Sequence, residues 1–249
     1  MNRLNQINAQ VGRFRWTICA LVFAATTINY LDRNVLGLLK PMLSDRGVFG
    51  AIPADQELNY STVVICFYVA YAVGMLAAGR LIDRVGTKSG YAYALFGWSL
   101  SAIGHAFGHT TATFGFWRSA LGFCEAGNFP AANKTIAEWF PRKERAFATG
   151  LYNSGANVGA IVAPLAVPAI AAHWGWEWAF ILTGTIGLLW LGFWYAMYAS
   201  PAAKLENGQL QRAEYDYIHS DVDEQAEEKA DVAAARIPLA RLLAFRQTW

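Results

Sequence analysis

Long apolar runs separated by short polar stretches set the pattern of this chain. The runs cover residues 16–39, 61–81, 89–107, 112–134, 146–171 and 178–199. Each is close to the roughly 20 residues that a helix needs to cross a hydrocarbon core. The pattern predicts an all-α membrane protein with six transmembrane helices. Between the second and third runs lies a charged stretch, Arg80, Asp83, Arg84 and Lys88, with Gly79 and Gly86 among them. It is expected to be a tight loop, because a chain that turns and re-enters the membrane needs glycine to turn and charge to stay in water.

Basic residues alternate between the two ends of these predicted spans. Arg3, Arg13 and Arg15, then Arg80, Arg84 and Lys88, then Arg142, Lys143 and Arg145 fall on one side. The other side has Lys40 and Arg46, and its two remaining loops, around His109 and His173, have none. An excess of Lys and Arg marks the cytoplasmic side, so the N-terminus and residue 249 are expected there. Trp174, Trp176 and Trp178 are expected at the outer interface, where indole rings are favoured.

Composition agrees with a membrane protein. Of 249 residues, 55% are hydrophobic and 15% charged, against about 25% charged in soluble domains. A net charge of +2 gives no reason to expect a nucleic-acid partner. Cys19, Cys66 and Cys124 all sit in apolar runs and are expected to be packing residues. Nothing in the Cys and His spacing suggests a metal, and no cofactor is expected. The first dozen residues are polar and the first apolar run is of spanning length, so a cleavable signal peptide is not expected. Three regions follow: 1–15, a cytoplasmic N-terminus; 16–199, the membrane domain; and 200–249, a cytoplasmic loop. The last includes an acidic stretch at 221–229 and a short amphipathic segment at 237–243, expected to lie on the membrane surface.

Two charge clusters interrupt the apolar runs. Asn29-Tyr30-Leu31-Asp32-Arg33-Asn34 lies in the first, and Arg118 and Glu125 lie in the fourth. An intramembrane charge costs about 2.5–3.5 kcal/mol on insertion scales and usually marks function. Arg118, Gly122, Glu125 and Phe129 share one helix face. At about 1.5 Å per residue, Asp32 and Arg118 reach similar depths, with Glu125 roughly 10 Å further in. An Asp32–Arg118 pair could simply hold two helices together, but that leaves Arg33 and Glu125 without a purpose. Two arginines facing two carboxyls are near neutral. Protonating either acid leaves an arginine free for an anion, and linkage makes anion and proton favour each other. The expected activity is proton-coupled anion symport, not an enzymatic reaction.

Other polar residues extend this site. Tyr68 and Tyr71 offer phenol hydroxyls to a polyol. Asn153 and Asn157, four apart, either bind hydroxyls or join helices. His105, His109 and His173 are expected to be interfacial. With no histidine deep in a span, Ser154 does not suggest an intramembrane protease, and no filter-like segment suggests a channel. A non-transporting sensor half and an organic-anion exchanger are the alternatives.

The run Gly79-Arg80-Leu81-Ile82-Asp83-Arg84-Val85-Gly86-Thr87-Lys88 reads G-x-L-x-D-R-x-G-x-K and resembles the loop motif of the major facilitator superfamily. Asp32-Arg33-Asn34, the Arg118 to Pro130 segment and Glu138-Trp139-Phe140-Pro141-Arg142-Lys143-Glu144-Arg145-Ala146 resemble the anion:cation symporter branch, with bacterial hexuronate transporters most similar. The resemblance implies six helices arranged as two inverted three-helix repeats, followed by a central cytoplasmic loop. A second six-helix half is expected in cis or as a separate chain, in a bacterial inner membrane. It implies that Arg33 contacts a substrate carboxylate, that Asp32 and Glu125 couple protons, and that Arg118 orients them. Gly79, Asp83, Arg84, Gly86 and Lys88 would form a gating loop. The substrate would be a small organic anion such as a sugar acid, and the coupling ion H+.

Overall fold

The computed structural model describes residues 12–220, which form helices and connections with no strand among them. In chain order the helices are α1 (Phe14–Asp45), α2 (Pro53–Val85), α3 (Thr87–His105), α4 (Thr111–Glu125), α5 (Asn128–Trp139), α6 (Arg142–Trp174), α7 (Trp176–Met197), α8 (Pro201–Glu206) and α9 (Arg212–Ile218). The acidic stretch and the amphipathic segment of the tail lie outside the described residues.

Four of these helices, α1, α2, α6 and α7, are long and apolar enough to cross a membrane, which makes the chain a multi-pass membrane protein. The other two predicted spans are weaker for physical reasons. Lys88, hydroxyls and glycines dilute the 19-residue α3. The fourth predicted span is divided into α4 and α5 at Ala126–Gly127. Pro130 accounts for the division: it has no N–H to give the Ala126 carbonyl, and its ring crowds that group. The expected stripe of Arg118, Gly122 and Glu125 survives on α4, whereas Phe129 lies past the break.

The expected loop at 79–88 is corrected. α2 continues through Gly79, Asp83 and Arg84 to Val85, and α3 begins at Thr87. Gly86 alone makes the turn, at φ 83°, a conformation that residues with a Cβ rarely adopt. The charged side chains project from helix ends, where they reach water without a loop. Lys134 on α5 donates to Asp83 at 2.8 Å. Lys88 donates to the Tyr195 carbonyl at 3.1 Å, and Trp194 Nε1 donates to the Lys88 carbonyl at 2.9 Å. Arg80 donates back to the Leu76 carbonyl, and Arg84 is exposed.

The principal packed pairs are α1 with α6, α2 with α4, and α3 with α7. The α2–α4 crossing is tight enough to require Gly122: a Cβ there would come within 2.4 Å of the Phe67 carbonyl oxygen. Of the three tryptophans expected at the outer interface, Trp174 and Trp178 are exposed. Trp176 is buried, packed against Phe114 and Phe180. His105, also expected at the interface, is fully buried and stacks on Phe180 at 5.0 Å. The close of α3 places its ring between α4 and α7 rather than outward.

At the other end of the bundle, α9 returns to the start of the chain. Glu214 accepts the backbone N–H groups of Phe14 and Arg15, at 3.2 and 3.0 Å. These are first-turn donors of α1 that lack intrahelical partners, and a carboxylate there is also favoured by the helix dipole. Arg15 then bridges Glu214 (3.3 Å) and Glu144 of α6 (2.9 Å), and Tyr217 donates to Glu144 at 2.8 Å. Glu214 is buried, so Glu214→Ala removes a cap and strands part of a buried ion pair. Removing one partner of such a pair typically costs about 3 kcal/mol. The expected result is a lower unfolding midpoint in detergent, partly restored by Glu214→Gln, which keeps an acceptor oxygen. An unchanged midpoint for the alanine variant would show that the contact contributes nothing to stability.

Candidate anion and proton site

The site begins with the register of α1. Successive residues on a helix point about 100° apart, so Asp32 and Arg33 face different neighbours. Arg33 turns towards α2 and α4, where its Nε and Nη2 both donate to Glu125 Oε2, at 3.0 and 2.8 Å. Asn29, one turn earlier, accepts from Arg33 Nη2 at 3.5 Å. Three rings hold the guanidinium: Tyr30, Phe67 and Tyr71, with centroids 4.9, 5.1 and 5.0 Å away. Such contacts favour a cation and fix its plane. The pair is unequal in exposure. The Glu125 side chain is fully buried, whereas that of Arg33 is 21% exposed. The cation thus meets the cavity and the anion sits behind it.

The ion pair that forms is therefore Arg33–Glu125, and the alternative Asp32–Arg118 pair that would only join two helices does not form. Arg118 instead donates Nη2 to the Arg33 carbonyl at 3.2 Å and lies over Phe67. This clamps the backbone of α1 from α4. Asp32 is turned to the opposite side, beside Thr183 of α7 and within electrostatic range of Arg118 and Glu125. The Thr183 hydroxyl, 3.4 Å from the Phe180 carbonyl, can turn to Asp32 instead, and among the described residues no other group bonds either Asp32 carboxylate oxygen. Glu125 Oε1 and Arg118 Nε are likewise buried without partners. Buried polar atoms are almost always paired, so this concentration of unpaired ones at a single place marks a site built for something other than stability.

A cavity of about 210 Å³ opens on Arg33 and Arg118. Asn34, Gly37, Tyr60, Val64, Phe67 and Tyr68 also line it. Tyr68 is 59% exposed, with its ring on the cavity. Tyr71 lies below, stacked on Phe67 and against Arg33. Asn153 and Asn157 do not join this cavity. Both are exposed on α6, on the side away from the residues that bury it. Asn34, Tyr60 and Phe67 are additions to the expected wall, and Tyr30 is an addition to the rings around Arg33. Helical spacing could have found them, since Tyr60, Phe67 and Tyr71 recur on one face of α2, and Tyr30 and Asn34 flank Arg33 on α1.

A second and larger cavity, about 480 Å³, lies at the Gly86 end among Lys88, Glu138, Arg145, Tyr198 and His219. Both Glu138 oxygens are occupied there, by the Thr87 and Tyr198 hydroxyls. Among the described residues it holds no cluster of unpaired charge, whereas the smaller Arg33 cavity does.

Comparison with known proteins agrees with this architecture. The chain is 34% identical over 241 residues to the galacturonate transporter of Dickeya chrysanthemi, covering 96% of this chain and 66% of that protein. It is 34% identical over 252 residues to the hexuronate transporter of Escherichia coli K12, covering 96% of this chain and 53% of that protein. A D-galactonate transporter of E. coli is also 34% identical, covering 84% of this chain and 47% of that protein. The chain thus spans about half to two thirds of the length of these relatives. Among solved structures, the xylose transporter XylE of E. coli, in a partially occluded inward-open conformation, superposes with a TM-score of 0.71 at 17% identity. That match covers 90% of this chain and 60% of that one. A family model described as Major Facilitator Superfamily matches residues 22–247. By sequence and by fold, the chain belongs to the major facilitator superfamily.

Proposed function

We propose that this chain forms the first half of a proton-coupled symporter for sugar acids. In this proposal α1, α2, α3, the α4–α5 pair, α6 and α7 cross the membrane six times as two inverted three-helix repeats. The N-terminus and the segment after α7 face the cytoplasm of a bacterial inner membrane. A second six-helix half supplies the opposite wall of the cavity, which gives Asn153 and Asn157 a surface to face.

The observation that carries the proposal is the Arg33–Glu125 pair at the cavity wall. One guanidinium, held by three rings, is bound through a single carboxylate oxygen. A substrate carboxylate offers the same group from the open side. The two carboxylates compete for one fork, and a proton on Glu125 resolves the competition in favour of the substrate. Anion binding and proton uptake are then one event seen from two sides. Arg118 holds the α1 backbone in register, and Tyr60, Tyr68 and Asn34 offer hydrogen bonds to sugar hydroxyls. The names of the relatives support a sugar acid over other organic anions. Gly79, Asp83, Arg84, Gly86 and Lys88 take part in gating from the α2–α3 corner.

The test is uptake of labelled galacturonate by vesicles that contain the complete protein, under an inward proton gradient, with and without an uncoupler. Accumulation that the uncoupler collapses is the expected result. Binding without flux would instead indicate a sensor, and flux indifferent to the uncoupler would indicate an exchanger.

A further inference from the structure

The substrate cavity opens on Arg33, but Asp32 faces away from it. The interior beside Asp32 contains polar groups that the anion mechanism does not use. His105, at the end of α3, is fully buried. Its Nδ1 lies 2.7 Å from the Ser101 carbonyl. A carbonyl only accepts, so Nδ1 carries the hydrogen and Nε2 of the neutral ring presents a lone pair. That Nε2 is buried and has no partner. The ring is fixed by stacking on Phe180 of α7 and by an edge contact with Phe114 of α4, at 5.0 and 5.7 Å.

One helical turn inward from these two contacts, α4 presents Arg118 and α7 presents Thr183. Both neighbour Asp32. The imidazole therefore lies about one helical turn, ~5 Å of axial rise, from the level of Arg118 and Thr183. Arg118 is the charged group that α4 turns towards the imidazole. α1 presents Asp32, and α7 presents Phe180 and Trp176 with no titratable group. One turn before Phe180 on α7, the Trp176 Nε1–H is also buried without a partner. By level along α7, Asp32 beside Thr183, His105 on Phe180 and Trp176 one turn beyond follow one another, each with a buried polar atom that has no partner. Buried polar atoms left unpaired by protein are where structural water is held.

We propose that His105 relays a proton to Asp32, the second acid of the charge cluster and within electrostatic range of Glu125 and Arg118, so that this proton and the anion reach the cluster by separate routes. The inference rests on the proton-coupled reading above. In the relay, Nε2 accepts a proton from hydronium at the Trp176 end, which leaves water. It then releases that proton through water or the Thr183 hydroxyl to a carboxylate oxygen of Asp32. The imidazole returns to its starting state, and Nδ1–H keeps its bond to Ser101 throughout. Separate routes also explain why a bulky, hydrated anion in the cavity would not block delivery of the proton on which its binding depends.

The test uses the complete protein in proteoliposomes with His105→Gln, whose amide can still donate to Ser101 but cannot carry a proton. Two rates are measured: galacturonate uptake driven by a proton gradient, and exchange of labelled for unlabelled galacturonate with no gradient. Exchange recycles the loaded, protonated form and needs no net proton transfer. Loss of a proton-transfer group typically costs 10²-fold or more, so gradient-driven uptake should fall by about tenfold or more while exchange stays within about twofold. External imidazole should restore part of the driven rate. Retention of driven uptake in His105→Gln, or an equal fall in both rates without imidazole rescue, would overturn the relay. Asp32→Asn separates the two levels of inference. If it too keeps driven uptake, delivery to Asp32 has no role in coupling. If it loses driven uptake while His105→Gln keeps it, coupling stands and only the relay fails.

Discussion

Arg33→Lys should lower sugar-acid uptake by about 100-fold while leaving the protein folded, an effect that corresponds to two good charge-assisted hydrogen bonds. The substitution keeps the positive charge, so the fully buried Glu125 retains a counter-charge and the penalty of stranding it is avoided. What it removes is the fork. Nε and Nη2 of Arg33 now both reach Glu125 Oε2, and a planar guanidinium lies among the rings of Tyr30, Phe67 and Tyr71. A lysine ammonium is a point charge that neither stacks nor binds a carboxylate in bidentate fashion. Substrate affinity and orientation should fall together. The check is uptake together with monodispersity in detergent. A folded Arg33→Lys variant that transports within about threefold of wild type would show that charge alone recruits the anion, and the fork geometry would lose its role.

Much of this site is legible in the letters, for a definite reason. Charged residues inside apolar runs are rare enough that Asp32, Arg33, Arg118 and Glu125 identify themselves, and helical spacing places Arg118 and Glu125 on one face. Partner choice is not legible. Depth along two helices predicts which residues share a level, yet a rotation of about 100° separates Asp32 from Arg33. That rotation turns one towards Thr183 and the other towards Glu125. A long guanidinium also spans a difference in depth that a short Asp side chain does not. His105 meets the same limit. Its place at the end of an apolar run suggests an interface, but the rings of Phe114 and Phe180 close over it. Nothing in its local sequence records those neighbours.

The helix boundaries show a second limit. A charged, glycine-bounded stretch such as 79–88 reads as a loop, because charge and glycine are loop signals in general. Here α2 continues to Val85, and Gly86, whose N–H still bonds the Ile82 carbonyl, leaves the helical conformation at φ 83°. Helix backbone groups are satisfied internally, so extending a helix beyond the apolar zone leaves no backbone group unpaired and keeps Asp83 beside Lys134. Apolar length therefore measures the membrane and not the helix. Conversely, the fourth run reads as one span but is broken in structure, since Pro130 disrupts the hydrogen-bond ladder without itself adding charge. The acidic residue Glu214 reads only as part of a polar tail. Its value as a cap for α1 depends on a fold that brings residues 14 and 214 together.

The second large effect concerns Glu125→Gln. In wild type an ionised Glu125 competes with the substrate for Arg33, and a protonated one does not. Raising the pH should therefore weaken anion binding, and lowering it should strengthen binding. Glutamine has nearly the same shape but neither charge nor titration. It leaves Arg33 available at every pH, so binding of the labelled sugar acid should become flat across the range in which wild type weakens. The same change removes the route by which the proton gradient does work on the anion, because linkage requires that what one ligand no longer senses the other no longer drives. Accumulation against a gradient should fall to simple equilibration, while exchange persists within about threefold. A monodisperse Glu125→Gln variant that still concentrates the anion would move the coupling step to Asp32, whose two carboxylate oxygens are unpaired. Asp32→Asn would then be the variant that flattens the pH profile. If neither variant flattens it, the competition between carboxylates for Arg33 is not how proton and anion are coupled.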